Sequence, residues 1–326
     1  MRVIGNSLGS DERAGSDSGP DWIDVDLAEA GAESWLVSQV KLGEDTLPLL
    51  LTEENRNRRV SAPEGLFLSL CYPSGARDED PEDAVVRIGV LVTRERILTV
   101  HRGRILALDG LRHSLRDPEE ALDSAWSVLA KLIVRIAFRV EVVLDQAARE
   151  IDQLEDRVFE EDPQPPIDEL GQLRRQLILD RRHITSMARV VEETLDDRVM
   201  GPAASSADDL RDAAQAMTRL ERTVEFFLER ANLIQDQIQS LLSERMNTAT
   251  LRLGVVATVF LPLSFLTGLL GINVAGMPGS HNPLAFWVVC ALLTILALGA
   301  WIVVARFHTQ NVGRVRRSRR GHTKLH

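Results

Sequence analysis

The feature that most constrains this chain is a long segment near its carboxyl end without a charged side chain. All 53 residues from Leu253 to Ala305 lack Asp, Glu, Lys and Arg, although 26% of the 326 residues in the whole chain are charged. The segment holds two apolar runs, 19 residues at 253–271 and 22 residues at 284–305. Roughly 20 helical residues cross a hydrocarbon core. We therefore predict a C-terminal hairpin of two transmembrane helices rather than a buried soluble hairpin.

Basic residues flank this hairpin on its outer sides. Arg245 and Arg252 precede the first run, and the 21 residues at 306–326 contain seven basic residues and no acid, whereas the linker at 272–283 is uncharged. Cytoplasmic flanks of membrane helices carry an excess of Lys and Arg. We expect both termini in the cytoplasm, an extracytoplasmic loop at 272–283, and a basic cytoplasmic tail at 306–326 that contacts anionic lipid rather than RNA.

The region before the membrane is acidic. Residues 1–252 contain 48 acidic and 31 basic residues, a net charge of −17. This balance argues against nucleic acid as a partner, because phosphate binding needs a basic face, and it suits a cation. Cys71 and Cys290 lie in different surroundings and indicate no disulfide framework. The sequence contains no nucleophile elbow, phosphate loop or HExxH motif, so we do not expect an enzyme.

Composition and periodicity divide the acidic region. Residues 1–20 are rich in Gly, Ser and Asp and are predicted to be disordered. Residues 21–117 predict a small α/β domain, with strand patterns at 22–27, 65–72, 85–92 and 97–101. Residues 118–206 predict long helices, one with apolar side chains three or four apart between Ile136 and Val158, and one at about 167–197. The fold class is therefore an α+β domain followed by very long helices and the membrane hairpin.

A third helix is predicted from Ala207 to Gly271, running without a break into the first membrane run. Residues 207–253 contain no Gly or Pro, and apolar side chains follow a heptad pattern over five repeats. The two seam positions are occupied by Leu210, Met217, Val224, Ala231 and Ile238, and by Ala213, Leu220, Phe227, Ile234 and Leu241. A single helix over 207–271 would be about 98 Å long and would couple the cytoplasmic domain to the membrane.

The first membrane run is richer in small residues than the second, which is dominated by bulky aliphatic side chains and Trp. Small residues allow close approach or leave a lumen, so we place the first helix inside and the second, at 284–305, outside. One hairpin cannot enclose a water path, so a pore requires several subunits. Without membrane carboxylates, a divalent cation must keep its hydration shell or use neutral oxygen ligands. The predicted pore-lining residues share one helical face: Asn247, Thr250, Gly254, Ala257, Leu261, Ser264 and Gly268.

The tripeptide Gly271, Ile272 and Asn273 ends the first run. Taken alone it is ordinary capping chemistry for a helix end. Placed between two closely spaced spans, after a very long helix and before a basic tail, it resembles the CorA superfamily of divalent-cation transporters, in which Gly-Met-Asn is usual. Ile272 and the Met-Pro-Gly at 277–279 resemble the zinc-transporter branch, ZntB. The segments at 65–68, 80–83, 86–88 and 96–100 also look like the cytoplasmic domain of that branch.

The resemblance implies a homopentamer with a cytoplasmic funnel, located in an inner membrane of bacterial type. It implies a selectivity loop at Gly271, Ile272 and Asn273, with a ring of Asn273 side chains holding hydrated metal at the outer entrance. Zn²⁺ would be the transported substrate, with proton-coupled uptake and no bound cofactor. The acid that magnesium-type members carry after Met-Pro is missing, and His281 is a weaker candidate ligand in the same loop. A CorA-type Mg²⁺ or Co²⁺ channel is the alternative, and a non-transporting coiled-coil scaffold or sensor is a more remote one.

Overall fold

The computed structural model of this chain describes residues 2–4, 21–40, 42–75, 84–94, 96–114, 124–160, 164–196, 204–271, 284, 286–296 and 298–299. The chain divides into two compact units, Met1–Ile238 and Gln239–His326. The predicted segments 21–117 and 118–206 therefore lie in one unit. The division falls inside the long third helix.

The first unit contains a mixed sheet of six strands. The strands are β1 (Arg2–Ile4), β2 (Asp21–Asp26), β3 (Arg58–Ala62), β4 (Gly65–Pro73), β5 (Val85–Val92) and β6 (Arg96–His101). Their order across the sheet is β1-β2-β6-β5-β4-β3. Only the β2 and β6 pairing is parallel, with Asp24 opposite Thr99 and Asp26 opposite His101 among the described strands. All nine residues of β4 are buried, which matches its sequence, apolar except for Ser69 and the Tyr72 hydroxyl.

Helices cover both faces of the sheet. On one face, α1 (Ala32–Gln39) and α2 (Thr46–Leu51) pack with alternate strand residues in a core that includes Val25, Phe67 and Val100. On the other face lies α3 (Leu106–Ser114), whose Arg112 reaches Asp24 on β2. The helices α4 (Ala125–Phe159) and α5 (Ile167–Leu195) also contact the sheet. A sheet buried between two helical layers explains the apolar runs in its central strands.

The four predicted strands are present, with ends shifted by one residue or less. Two further strands were missed, because β1 has three residues and β3 carries two arginines. The expected disorder of 1–20 is wrong for Arg2–Ile4, which pair antiparallel with β2. The other residues of 1–20 lie outside the described residues.

The heptad pattern of the third helix is confirmed by burial. This helix, α6, spans Ala204–Gly271 and begins three residues before the predicted start. Nine of the ten predicted seam residues are buried, and Leu241 is half-buried. In α4, the core position between Val140 and Ala147 is occupied by Leu144, and the neighbouring Val143 is half-buried. The last residue of α5 is Leu195 rather than 197.

The second unit contains the end of α6 and a short apolar helix, α7 (Phe286–Leu296). Within the described residues, α6 is the one helix long and apolar enough to cross a membrane, and its apolar stretch is not buried by the rest of the chain. Most of 297–305 lies outside the described residues, so the second membrane span stays a prediction.

Candidate functional site

The apolar end of α6 stays helical through Pro262, which lies within the stretch predicted to cross the membrane. A proline has no N–H to donate to the carbonyl four residues earlier, here that of Thr258. The hydroxyls of Thr258 and Thr267 donate to the carbonyls of Gly254 and Leu263 in the same helix, over 2.8 and 2.9 Å. Such bonds satisfy hydroxyl groups where lipid supplies no acceptor. They also leave the hydroxyl oxygens able to accept from water.

The predicted pore-lining residues lie on one exposed face of this helix. All seven are exposed in the single chain: Asn247, Thr250, Gly254, Ala257, Leu261, Ser264 and Gly268. A different set is half-buried: Thr248, Val255, Val259, Leu263 and Leu266. At 3.6 residues per turn, the centres of the two stripes are separated by about 160° around the helix axis. The chain therefore covers the face opposite the predicted pore-lining stripe, whose role in a pore stays a prediction.

The helix α7 has its own half-buried stripe, formed by Val289, Cys290 and Leu293. Large side chains such as Phe286, Trp287 and Ile295 are exposed on it. Its Thr294 hydroxyl donates to the carbonyl of Cys290 over 2.8 Å. Bulky apolar side chains suit contact with lipid, and the hydroxyl needs no partner outside its own helix.

The predicted selectivity loop is only partly visible. Gly271 is the last residue of α6 and is exposed. Ile272, Asn273 and His281 lie outside the described residues, as do the rest of the loop and the basic tail at 306–326. Their proposed roles therefore depend on the sequence.

The C-terminal half of α4 carries a run of acidic residues, Glu150, Asp152, Glu155 and Asp156, two of which pair with an arginine. Arg230 on α6 donates to Asp152 over 2.8 Å and to Glu155 over 2.5 Å. These hydrogen bonds raise the pKa of Arg230. The described residues contain no group of three or more His, Cys, Asp or Glu arranged to hold a metal ion. These two acids thus join α4 to α6 within the first unit.

Sequence reasoning missed a buried polar cluster between the sheet and α3. Asp24 and His101 are each 3% exposed. The Asp24 carboxylate accepts from the Thr99 hydroxyl and from Arg112, and it lies 3.4 Å from Nε2 of His101. Nδ1 of His101 lies 2.7 Å from the carbonyl of Gly103. Both ring nitrogens therefore face acceptors, which favours the doubly protonated ring.

The titration of this pair follows from its surroundings. Burial opposes ionisation of Asp24, but His101, Thr99 and Arg112 outweigh that cost and hold the pKa of Asp24 below its ordinary value. Burial also opposes protonation of His101, yet Asp24, the Gly103 carbonyl and Asp26 raise its pKa. The sequence signal was weak, because Asp24 and His101 belong to strands whose parallel pairing joins residues 75 or more apart.

Comparison with known proteins gives concordant matches over most of the chain. The family model for the CorA-like Mg²⁺ transporter protein matches residues 17–306. Zinc transport protein ZntB of Pectobacterium atrosepticum is 30% identical over 287 residues, 86% of each chain. Divalent cation transporter CmaX of Pseudomonas aeruginosa is 29% identical over 289 residues, 87% of this chain and 86% of its own. A solved structure of full-length CmaX superposes with a TM-score of 0.72 at 26% identity, covering 94% of this chain and 93% of that chain.

Proposed function

Because this chain belongs to the CorA-like Mg²⁺ transporter family, in its ZntB branch, it is a divalent-cation transporter, and we propose that its main substrate is Zn²⁺. Its relatives are transporters rather than enzymes. The proposal for zinc is supported by the 30% identity to a protein named for zinc transport. Ile272 and Gly279, where the sequence resembles the ZntB branch rather than magnesium-type members, support it further.

The observation that carries the pore proposal is the two-sided character of α6. Its predicted pore-lining residues, most of them small or polar, face away from the half-buried stripe. In a ring of subunits this free face suits a water-filled lumen, because small side chains leave room and neutral oxygens can accept from water. The proposed assembly is a homopentamer in an inner membrane of bacterial type, with two spans per subunit, lipid contacts on the second span and both termini in the cytoplasm. Asn273 forms the outer ring that holds hydrated metal.

The second candidate is a Mg²⁺ or Co²⁺ channel. The description of the matching family names Mg²⁺, and the relative CmaX is described as a transporter of divalent cations without a named metal. A stripe of neutral oxygen ligands also suits Mg²⁺, which dehydrates reluctantly. Metal preference is therefore the quantity that the first experiment measures.

The proposal also includes coupling of Zn²⁺ uptake to proton entry. No Asp or Glu lies between Leu253 and Ala305, so the membrane segment supplies no carboxylate to carry a proton. The titratable candidates are outside the spans: His281 in the loop, and the buried pair of Asp24 and His101 in the first unit. Coupling through either would be indirect, by a change in conformation rather than by a relay along the pore.

The test is uptake into liposomes that contain the purified full-length protein. Zn²⁺, Mg²⁺, Co²⁺ and Ni²⁺ are compared, each with and without an inward proton gradient. We expect Zn²⁺ entry to be fastest and to rise with the gradient. Fastest entry of Mg²⁺ without an effect of the gradient would replace the zinc proposal with the channel, and absence of flux for every metal would refute both.

Bulky substitutions on α6 test the pore face. Ser264→Leu and Ala257→Leu add volume to the exposed stripe, and Val259→Leu is the control on the half-buried stripe of the same helix. We expect the first two variants to lose most uptake and the control to retain it, with the same oligomer size in all three. Equal uptake in all three variants would remove this stripe from the ion path.

A further inference from the structure

A cleft lined by four arginines lies where the edge strand β3 meets α5. Its volume is about 360 Å³, and Arg56, Arg58 and Arg59 from the β3 side face Arg189 from α5 across it. β3 is at the end of the sheet order, so the cleft opens at the sheet edge. This concentration of guanidinium groups contrasts with the net charge of −10 for the chain.

The backbone that carries Arg56, Arg58 and Arg59 is held in place by Asn57, which is buried and also lines the cleft. Its side-chain amide donates to the carbonyls of Cys71 on β4 and His183 on α5, over 3.0 and 3.1 Å. Its amide oxygen accepts from the Cys71 N–H over 2.7 Å. Because one side chain ties the start of β3 to both neighbours, the arginines stand on a rigid base rather than on a free loop.

Positively charged residues outnumber negatively charged ones among the described residues in and beside the cleft. Glu193 is the one carboxylate among the described residues that line it. Arg58 is held by Glu54 at 3.8 Å and lies 5.8 Å from the ring centroid of Phe67. In the described part of the chain, Arg56 and Arg189 form no ion pair, and both are exposed. With Glu193 and the neighbouring Glu54 counted against the four arginines, the named groups carry a formal net charge of about +2, which favours an anionic ligand.

We propose that this cleft binds a small molecule that carries adjacent phosphate groups, such as a diphosphate or triphosphate. A planar guanidinium group donates two parallel hydrogen bonds to a phosphate, a geometry that the point charge of a Lys ammonium does not provide. The volume lies at the lower end of the range for small-molecule sites, which suits two or three phosphates. This binding site is independent of the transport proposal, because none of its residues belongs to the predicted pore.

Isothermal titration of the full-length protein in detergent tests the site. The probes are pyrophosphate, tripolyphosphate, ATP and sulfate, in metal-free buffer at one ionic strength. We expect saturable binding, one ligand per chain, with tripolyphosphate tighter than sulfate by at least about tenfold, because each additional charged hydrogen bond contributes roughly that factor. Equal affinity for ATP and tripolyphosphate would assign recognition to the phosphates alone, and tighter ATP binding would extend the same site to a nucleotide.

Two variants and one control connect the binding to this cleft. Arg56→Ala and Arg189→Ala remove exposed side chains, so we expect both variants to fold normally. Each should weaken tripolyphosphate binding by about tenfold or more. Arg211→Ala removes another exposed arginine, which pairs with Asp208 on α6 away from the cleft, and this variant should bind as the wild type does. Absence of saturable binding, or equal weakening by all three substitutions, would overturn the proposal.

Discussion

Replacement of Asp24 by Asn tests whether the buried polar cluster stabilises the first unit. Asp24 lies at the centre of the cluster and is 3% exposed. Asn keeps the size of the side chain and can still accept from the Thr99 hydroxyl, but it removes the negative charge that faces Arg112 and His101. Two groups that are partly or fully buried would then face a neutral amide. We expect a large loss of stability without a change of shape.

The magnitude follows from burial. Removing one partner of a buried ion pair costs about 3–5 kcal/mol. The side chain of Arg112 is 19% exposed and also donates to Asp109 over 2.6 Å, so it is not left without a carboxylate. We therefore expect the lower end of the range, about 3 kcal/mol. For a unit of this size, that loss lowers the melting temperature by about 6–12 °C.

The assay is thermal unfolding of the full-length protein in detergent, followed by tryptophan fluorescence at one scan rate, because membrane proteins often unfold irreversibly. Asp109→Asn is the matched control, since Asp109 binds the same arginine but its side chain is 30% exposed. Because this pair is nearer to solvent than Asp24, its loss should cost less, about 1 kcal/mol. If Asp24→Asn melts within about 2 °C of Asp109→Asn, burial does not set the energy of the cluster and the reasoning is wrong.

The same substitution has a signature in the pH dependence of stability. Folding raises the pKa of His101 above its ordinary 6.5, so the folded state binds the proton more tightly than the unfolded state does. The resulting stabilisation is complete below pH 6.5 and is lost as pH rises through the raised pKa. Asp24→Asn removes the main partner that raises this pKa, so the decline of melting temperature above pH 6.5 should flatten. An unchanged slope would contradict the assignment to His101.

Three further predictions concern packing, the entrance and the ion pair between helices. Gly65→Ala should destabilise the sheet by about 2 kcal/mol or more in the same melting assay, because an added Cβ would collide with the backbone carbonyl of Val92. Gly171→Ala on α5 is the control, since its added Cβ meets nothing within 4 Å. This control should stabilise the protein by about 0.5–1 kcal/mol. Asn273→Ala should abolish metal uptake with the oligomer intact on gel filtration; normal flux would remove Asn273 from the entrance. Arg230→Ala should lower the melting temperature by a few degrees, and the loss should shrink at high salt because Arg230 is partly exposed.

Local patterns predicted the elements of the fold well. The heptad residues of α6 required only a helical period, and the strand at 85–92 required only a strand-like alternation of residues. The edge strand β3 was missed because its sequence, Arg-Arg-Val-Ser-Ala, has little apolar content. Strands of this kind are recognised by their pairing, here with β4, which a local pattern does not contain.

The polar sites were harder to predict than the elements. Asp24 meets Thr99 and Arg112 across 75 and 88 residues of sequence, and Asn57 reaches His183 across 126. In the sequence alone, none of these polar residues can be distinguished from an ordinary surface residue. The pore-lining stripe, in contrast, lies on one helix, so helical spacing was enough to place its members on one face. Contacts between residues distant in sequence cannot be predicted from local patterns, because they form only when the fold brings the residues together.

The chemistry of the exposed α6 stripe predicts where metal preference arises. Its seven residues offer hydroxyl, amide and backbone oxygens, but no Cys or His that would favour zinc. A hydrated Zn²⁺ and a hydrated Mg²⁺ would therefore meet similar groups along it. We expect Ile272→Met, which restores the tripeptide usual in the CorA superfamily, to shift the ratio of Zn²⁺ to Mg²⁺ uptake toward Mg²⁺. Ser264→Leu should lower both fluxes without changing their ratio, and the opposite pattern would place selection inside the span rather than at the loop.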